Sequence, residues 1–120
     1  MGTDTEYILY HKPNCSTSLQ TLKMLKEHGV KPQLRLYLED PPTPAELEEL
    51  LKKMGTRVKS IIRTKEPLYK EEYEGKRLTK KQWLKILSEN PILINRPILI
   101  KGDKAIMGRP PEAVLELVDA

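Results

Sequence analysis

The sequence of 120 residues contains a single cysteine, Cys15. One cysteine excludes a disulfide within the chain, and it excludes a structural zinc site built mainly from thiolates. A lone thiol suits a reducing compartment. Any redox cycle at Cys15 therefore needs a thiol from another molecule.

Other scarce features narrow the classes of function. His11 and His28 are the only histidines, so a metal site of histidine and cysteine is not expected. Long apolar runs are absent, and no membrane span is predicted. Aromatic residues make up 5% of the chain, and acidic residues are interspersed with the basic ones that give the net charge of +4, so nucleic-acid binding is not expected. Residues 1–6 are polar and acidic, unlike a secretory signal, and a cytoplasmic protein is the default expectation.

The composition is that of one globular domain. Charged residues are 32% of the chain and hydrophobic residues are 38%. A chain of this length is near the usual size of a single domain and can bury a core without disulfides. No linker, internal repeat or low-complexity stretch divides it, so we predict one domain over residues 1–120.

The first forty residues predict a β-α-β unit. An apolar, aromatic-rich run at residues 7–10 predicts a buried strand, and the alternating Leu34-Arg35-Leu36-Tyr37-Leu38 predicts a second strand. Leucines spaced by three between these runs predict an amphipathic helix that ends at Gly29, with Ser16 or Asn14 as its N-cap. The two strands are expected to be parallel and joined by a right-handed crossover.

Residues 41–95 carry helical signals. Thr43-Pro44-Ala45-Glu46 and Thr79-Lys80-Lys81-Gln82 are capping boxes, in which the threonine and the residue three positions later exchange hydrogen bonds at a helix start. A further short helix is predicted within residues 57–62. Residues 63–78 are interpreted as a charged surface segment with a helical turn.

The C-terminal part predicts a hairpin and a helix. Ile98–Lys101 and Lys104–Met107 flank Gly102-Asp103, and glycine in the first loop position is typical of a type II′ turn. Pro110-Pro111-Glu112 then predicts the start of a last helix. The predicted fold is therefore α/β, with a mixed sheet formed by the β-α-β unit and the C-terminal hairpin, and with a helical insertion between them.

Cys15 is the first candidate for chemistry because it lies between a strand end and a helix start. The free N–H groups and the dipole of a helix N-terminus favour a thiolate, so this placement should lower the pKa of the cysteine. His11, if protonated, would add to that effect, and the hydroxyl of Ser18, at Cys-x-x-Ser spacing, is positioned to donate to the sulfur. The alternatives are that Cys15 is a small buried apolar residue and that His11 is a solvated loop residue.

Two arginines are brought together by the predicted hairpin register. Counting outward from the turn places Arg96 opposite Arg109, and like charges directly opposite each other are destabilising. A bound oxyanion would offset this repulsion, since arginine suits such ligands. The alternatives are that the strands splay there or that Glu112 neutralises the pair. Arg96-Pro97 is also a candidate for a cis peptide bond, and Arg63, taken alone, is typical of a solvated surface arginine.

Five stretches of the chain, in order, resemble the ArsC-type, glutaredoxin-coupled arsenate reductase family, in particular its short branch. The resemblance implies a thioredoxin-like fold with a helical insertion, in agreement with the order of elements above. The stretches are Tyr10-His11-Lys12-Pro13-Asn14-Cys15-Ser16-Thr17-Ser18, Leu36-Tyr37-Leu38-Glu39-Asp40-Pro41-Pro42, Ile61-Ile62-Arg63-Thr64-Lys65-Glu66-Pro67, Asn90-Pro91-Ile92-Leu93-Ile94-Asn95-Arg96-Pro97-Ile98 and Gly108-Arg109-Pro110-Pro111-Glu112.

The same resemblance implies a reaction and its participants. Cys15 would attack arsenate to form a thiol–arsenate adduct, glutathione would join as co-substrate, and glutaredoxin would resolve the mixed species as arsenite leaves. No bound cofactor or metal is implied, and a monomer is expected. The implied site residues are the nucleophile Cys15, the oxyanion-binding Arg63, Arg96 and Arg109, and the supporting His11 and Ser18.

One position departs from the family pattern, and two other functions stay open. Many members have arginine directly after the Cys-x-x-Ser segment, whereas this chain has Leu19, so one positive charge fewer lies near the thiol. The first alternative is a thiol oxidoreductase that does not use arsenate. The second is a regulator of the Spx type that binds RNA polymerase, although Ser18 removes the Cys-x-x-Cys switch that redox-sensing members use.

Overall fold

The computed structural model describes residues 7–118, so the expectation for residues 1–6 lies outside the described part of the chain. The chain forms two compact units, one from Met1–Asp40 with Arg96–Ala120 and the other from Pro41–Asn95. The single domain over residues 1–120 stays a prediction. No helix within residues 7–118 is long and apolar enough to cross a membrane.

The first unit contains a mixed four-stranded sheet with the order β2-β1-β3-β4. β1 is parallel to β2 and antiparallel to β3, and β3 and β4 form the predicted hairpin with the predicted register. Gly102 has a φ of 59° and no described non-glycine residue has a positive φ, which fits a type II′ turn. The strands are β1 (Tyr7–Tyr10), β2 (Gln33–Arg35), β3 (Ile98–Lys101) and β4 (Lys104–Met107).

Helix α1 (Ser16–Glu27) connects β1 to β2, and a 3-10 turn (Pro111–Val114) followed by the short α5 (Leu115–Val118) comes after the hairpin. One core joins the sheet to these helices. Its buried members are Tyr7, Leu9, Leu25, Val30, Leu99, Val114 and Leu117. The α/β, thioredoxin-like mixed sheet is therefore confirmed.

Three local predictions in this unit are wrong in detail. The strand predicted over residues 34–38 ends at Arg35, because Glu39 and Asp40 donate backbone hydrogen bonds to the Leu36 carbonyl and close a turn. The N-cap of α1 is neither Ser16 nor Asn14. The last helix begins as a 3-10 turn rather than as an α-helix.

The leucine spacing also gives an incomplete account of α1. Leu25 is fully buried, but Leu19 is 48% exposed. The side chains that α1 buries are Ser18, Thr21 and Leu25, so the packed face includes two small hydroxyl residues. The thiol end of this helix therefore packs through polar side chains rather than through a leucine stripe.

The second unit is the predicted helical insertion. Helix α2 (Pro44–Met54) and helix α4 (Lys80–Glu89) both begin with the predicted capping boxes, and Gly55 ends α2 in the left-handed conformation. Between them lie a 3-10 helix (Val58–Ile61) and the short α3 (Pro67–Glu72), and a 3-10 turn (Pro91–Leu93) follows α4. The buried side chains of α2 and α4 are Leu47, Leu50, Leu51, Trp83, Leu84 and Leu87.

Candidate active site

Cys15 is the N-cap of α1, with an extended backbone (φ −103°, ψ 123°). Its N–H donates to the Lys12 carbonyl at 3.0 Å, and its carbonyl accepts from the Leu19 N–H at 2.9 Å. Pro13 and Asn14 lie between β1 and the helix and form the tight turn that the sequence predicts. The thiol is partly exposed, so the buried-apolar interpretation of Cys15 is wrong.

The pKa of the Cys15 thiol is lowered from its ordinary value of 9.0. Burial by itself raises this pKa. Three groups lower the pKa and together outweigh burial. They are the backbone N–H of Ser18, the Arg96 guanidinium, which acts through a hydrogen bond and its positive charge, and the backbone N–H of Thr17. The helix end and one arginine therefore stabilise the thiolate.

Arg96 reaches this position from the strand end of the hairpin. The ladder continues past β3 and β4 through a 2.8 Å hydrogen bond from the Gly108 N–H to the Pro97 carbonyl, so the strands do not splay. Arg109 Nε donates to the Arg96 carbonyl at 2.6 Å. The Arg96–Pro97 and Arg109–Pro110 peptide bonds are both cis. The two arginines whose proximity the register predicts are thus held together, and Arg96 is 5% exposed.

Gly108 is a positioning residue that the sequence did not reveal. A Cβ atom at this position would lie 2.8 Å from Pro97 Cγ, 3.2 Å from Thr21 Oγ1 and 3.3 Å from Val114 Cγ1. No side chain fits there without moving its neighbours. The only available signal was a glycine next to a candidate oxyanion-binding arginine.

His11 and Ser18 form a buried pair beneath the thiol loop. His11 Nδ1 lies 2.6 Å from Ser18 Oγ, which also accepts the Lys12 N–H at 3.2 Å. His11 is 3% exposed, so its interpretation as a solvated residue is wrong. The Ser18 hydroxyl contacts His11 and the loop backbone, and the Ser18 backbone N–H contributes to the lowered pKa of the Cys15 thiol.

The surroundings of His11 disfavour its protonated form. Burial lowers the pKa of the imidazole, and the positive charge of Lys26 lowers it further. The lowered pKa works against the protonated imidazole, whose charge would stabilise the thiolate. The histidine instead holds the loop that carries Cys15.

Arg63 lies in the second unit, two residues after the end of the 3-10 helix Val58–Ile61. Its N–H donates to the Leu93 carbonyl at 2.7 Å, and its Nε is 3.3 Å from Glu66 Oε2. The side chain is partly buried. The structure therefore joins Cys15, Arg96 and Arg109 within one unit, and the role of Arg63 in oxyanion binding stays a prediction.

The chemistry available in the first unit is nucleophilic attack on an anion. A thiol of lowered pKa lies at a helix N-terminus beside a buried, permanently charged guanidinium. Both features stabilise the attacking thiolate, and both favour a negatively charged reactant. Among residues 7–118, no group of three or more His, Cys, Asp or Glu side chains is placed to hold a metal ion.

Comparisons with known proteins agree with this description. The sequence model of the ArsC family matches residues 10–117. An arsenate reductase from Haemophilus influenzae is 43% identical over 113 residues, which cover 92% of this chain and 97% of that protein. The uncharacterized protein YfgD from Escherichia coli K12 is 45% identical over 112 residues, covering 92% and 94% of the two chains.

Solved structures show the same fold. The arsenate reductase from Vibrio cholerae matches with a TM-score of 0.88 and 41% sequence identity, over 92% of this chain and 95% of that one. Both kinds of comparison therefore extend over most of the chain. The chain is an oxidoreductase that belongs to the ArsC family.

Proposed function

We propose that this protein is an arsenate reductase that uses glutathione and glutaredoxin as its reductants. The observation that carries the proposal is the Cys15 thiol, whose pKa is lowered by a helix N-terminus and by Arg96. The relatives named arsenate reductase and the ArsC family membership supply the substrate class. A cytoplasmic monomer without a bound cofactor is part of the same proposal.

The first step forms the adduct. The Cys15 thiolate attacks the arsenic of singly charged arsenate, an arsenic–sulfur bond forms, and one hydroxyl oxygen leaves as water after it takes a proton from the solvent. Arsenic stays in the pentavalent state. Arg96 would stabilise the thiolate before the attack and the oxyanion during it, and Arg109, which is tied to the Arg96 backbone, would bind a second oxygen.

The later steps transfer two electrons to arsenic. The thiol of glutathione replaces a second arsenic-bound hydroxyl, and water leaves. A glutaredoxin thiolate then attacks the glutathione sulfur, so that a sulfur–sulfur bond forms and the arsenic–glutathione bond breaks with its electron pair kept by arsenic. Water hydrolyses the remaining bond between Cys15 and trivalent arsenic, which releases arsenite and restores the thiol.

The other site residues have supporting parts in this proposal. His11 and Ser18 would keep the thiol loop in position through their buried contact of 2.6 Å. Arg63 would supply a third positive group for the oxyanion. Its Nε faces Glu66, which leaves the two terminal nitrogens of its guanidinium as the groups that would bind arsenate oxygens.

The test is arsenite release from arsenate by the purified protein with glutathione and glutaredoxin. We expect release by the wild type and by Ser16→Ala, a change at the exposed neighbouring position, and no release by Cys15→Ser. Arsenite formation by Cys15→Ser would contradict the assigned nucleophile. No arsenite from the wild type, with Cys15 still alkylated readily near neutral pH, would instead support a thiol oxidoreductase or a regulator.

A further inference from the structure

A groove of about 430 Å³ lies on the β2 side of the nucleophile loop. Residues 11–14 form one wall, and Leu36, Leu38 and Glu39 form the other. We call it the Leu38 groove. Its volume lies within the range of small-molecule sites, roughly 300–1,000 Å³. Asn14, the residue before Cys15, is one of the lining residues, so the groove borders the loop that carries the thiol.

The groove lies where residues 36–40 form a turn, although the alternation of residues 34–38 is that of a strand. Tyr37 is fully buried and stacks on Tyr10, with ring centroids 6.2 Å apart, which anchors the middle of the turn. Arg35 closes the turn through Asp40, with Nε 3.2 Å from Oδ2. Leu38 is consequently 36% exposed instead of entering the core. A break of the local pattern at this place is typical of a functional site.

The walls of the groove are mostly apolar, and they carry one charge of each sign. Lys12 stands on the loop side and Glu39 on the turn side. Glutathione complements this arrangement, since it has two carboxylates and one ammonium group around an uncharged middle part that bears the thiol. Lys12 would pair with a carboxylate, Glu39 with the ammonium, and Leu38 would cover the middle of the peptide.

The single cysteine makes a neighbouring thiol site necessary. Two electrons must reach arsenic, and the only protein thiol is already bound to it, so the next sulfur has to approach Cys15 from outside the chain. The geometry points to the Leu38 groove as the glutathione-binding site of this protein, a conclusion that rests on the proposed function.

The experiment measures thiol exchange without arsenate. The Cys15 thiolate attacks one sulfur of oxidised glutathione, a new disulfide joins Cys15 to one glutathionyl group, and the other leaves as a thiolate. The same rate is measured with bis(2-hydroxyethyl) disulfide, which is uncharged, and N-acetylcysteine amide provides the reference ratio of the two rates. We expect the wild-type protein to favour oxidised glutathione more than the reference thiol does.

Matched leucine substitutions locate the site. Leu38→Glu should lower the preference for oxidised glutathione about tenfold, because it places a negative charge next to the glutathione carboxylates. Leu34→Glu, on β2 at 42% exposure, should change it by less than about twofold. Leu19→Glu, on α1 at 48% exposure, probes the helix side of the thiol and should lower the preference less than Leu38→Glu does. Lys12→Glu is the second groove variant and should act like Leu38→Glu.

Several outcomes would overturn the assignment. The first is a wild-type preference for oxidised glutathione equal to that of the reference thiol. The second is an equal effect of Leu38→Glu and Leu34→Glu on that preference. The third is a loss of the preference in Leu19→Glu alone, which would place the thiol donor on α1. Sensitivity at Leu38 only when a glutaredoxin–glutathione disulfide is the oxidant would indicate a docking protein instead. Failure of arsenite release together with a Leu38-dependent preference would refute the proposed function and leave the groove standing.

Discussion

Three helices of this protein begin in two different ways. The N-caps of α2 and α4 are Thr43 and Thr79, and in each the threonine hydroxyl accepts a 3.1 Å hydrogen bond from the backbone N–H three residues later. The N-cap of α1 is Cys15, so this helix start has a thiol where the other two have a hydroxyl. The backbone N–H groups of Thr17 and Ser18 at this helix start lower the pKa of the thiol.

The difference shows how one backbone feature serves two purposes. Every helix leaves its first N–H groups without partners inside the helix. A hydroxyl cap satisfies them with a neutral acceptor and stabilises the fold. A cysteine at the same position turns them into donors for a thiolate, and in the first unit Arg96 adds a full positive charge. The reactive helix start is therefore the one whose cap can ionise.

The largest effect should follow the removal of Arg96, which isolates the contribution of the helix end. For Arg96→Ala we expect the pKa of Cys15 to rise towards 9.0 and arsenite release to fall by about 100-fold, since a fixed donor to an oxyanion is lost. Iodoacetamide alkylation across pH measures the first quantity. Arg77→Ala, at an exposed position, serves as the control. An unchanged alkylation profile would mean that the helix end alone sets the pKa.

Gly108→Ala should disturb the packing between the hairpin and α1, the helix that Cys15 caps. The added Cβ meets Pro97 and Thr21, and overpacking of this kind costs about 1–3 kcal/mol. Because Pro97 follows Arg96, we also expect slower alkylation of Cys15 at neutral pH. Denaturant unfolding and alkylation rates are the measurements.

Gly102→Ala is the matched control for this substitution. A Cβ at Gly102 meets no atom within 4 Å, but its positive φ disfavours any side chain by about 1–2 kcal/mol. We therefore expect a similar loss of stability with normal alkylation of Cys15. Equal slowing of alkylation in both variants would show that Gly108 acts only through stability.

A smaller effect is expected when a thiol is placed at a hydroxyl-capped helix start. In a Cys15→Ser background, Thr43→Cys gives α2 the same cap atom that α1 has. The helix N-terminus should lower the pKa of the introduced thiol, but less than that of Cys15, which Arg96 lowers as well. Alkylation against pH measures the difference. A pKa as low as that of Cys15 would show that Arg96 is dispensable.

The smallest effect concerns stability against pH. The folded protein lowers the pKa of Cys15, so the thiolate stabilises the fold fully above the unfolded value near 9.0, and this contribution is lost as the pH falls through the folded value. The unfolding free energy of the wild type relative to Cys15→Ser should therefore increase as the pH rises towards 9.0. Urea unfolding at several pH values measures it, and an opposite slope would contradict the lowered pKa.

The elements that were predicted correctly depend on near neighbours. Both capping boxes, Gly55 at the end of α2 and the turn at Gly102 follow from hydrogen bonds and dihedral angles within a few residues. The proximity of Arg96 and Arg109 followed as well, because a two-residue turn determines every pair of the ladder above it.

The features that were missed depend on segments distant in sequence. Leu34–Leu38 has the alternation of a strand, but Tyr37 stacks on Tyr10 and the chain turns. Leu19 has the spacing of a core residue, yet the buried face of α1 carries Ser18 and Thr21 instead. The lowered pKa of His11 results from burial that no local pattern expresses.

By itself the sequence determined where α2, α4 and the hairpin begin, that Cys15 stands at a helix start, and that two arginines meet at the open end of the hairpin. The physical reason is that these features are local or follow by counting from a local turn. Only the tertiary structure decided that Arg96 reaches the Cys15 thiol, that Gly108 has no room for a side chain, and that Leu38 lines a groove. Those outcomes depend on how the hairpin, α1 and the turn after β2 pack within the first unit, and packing is set by contacts between distant residues.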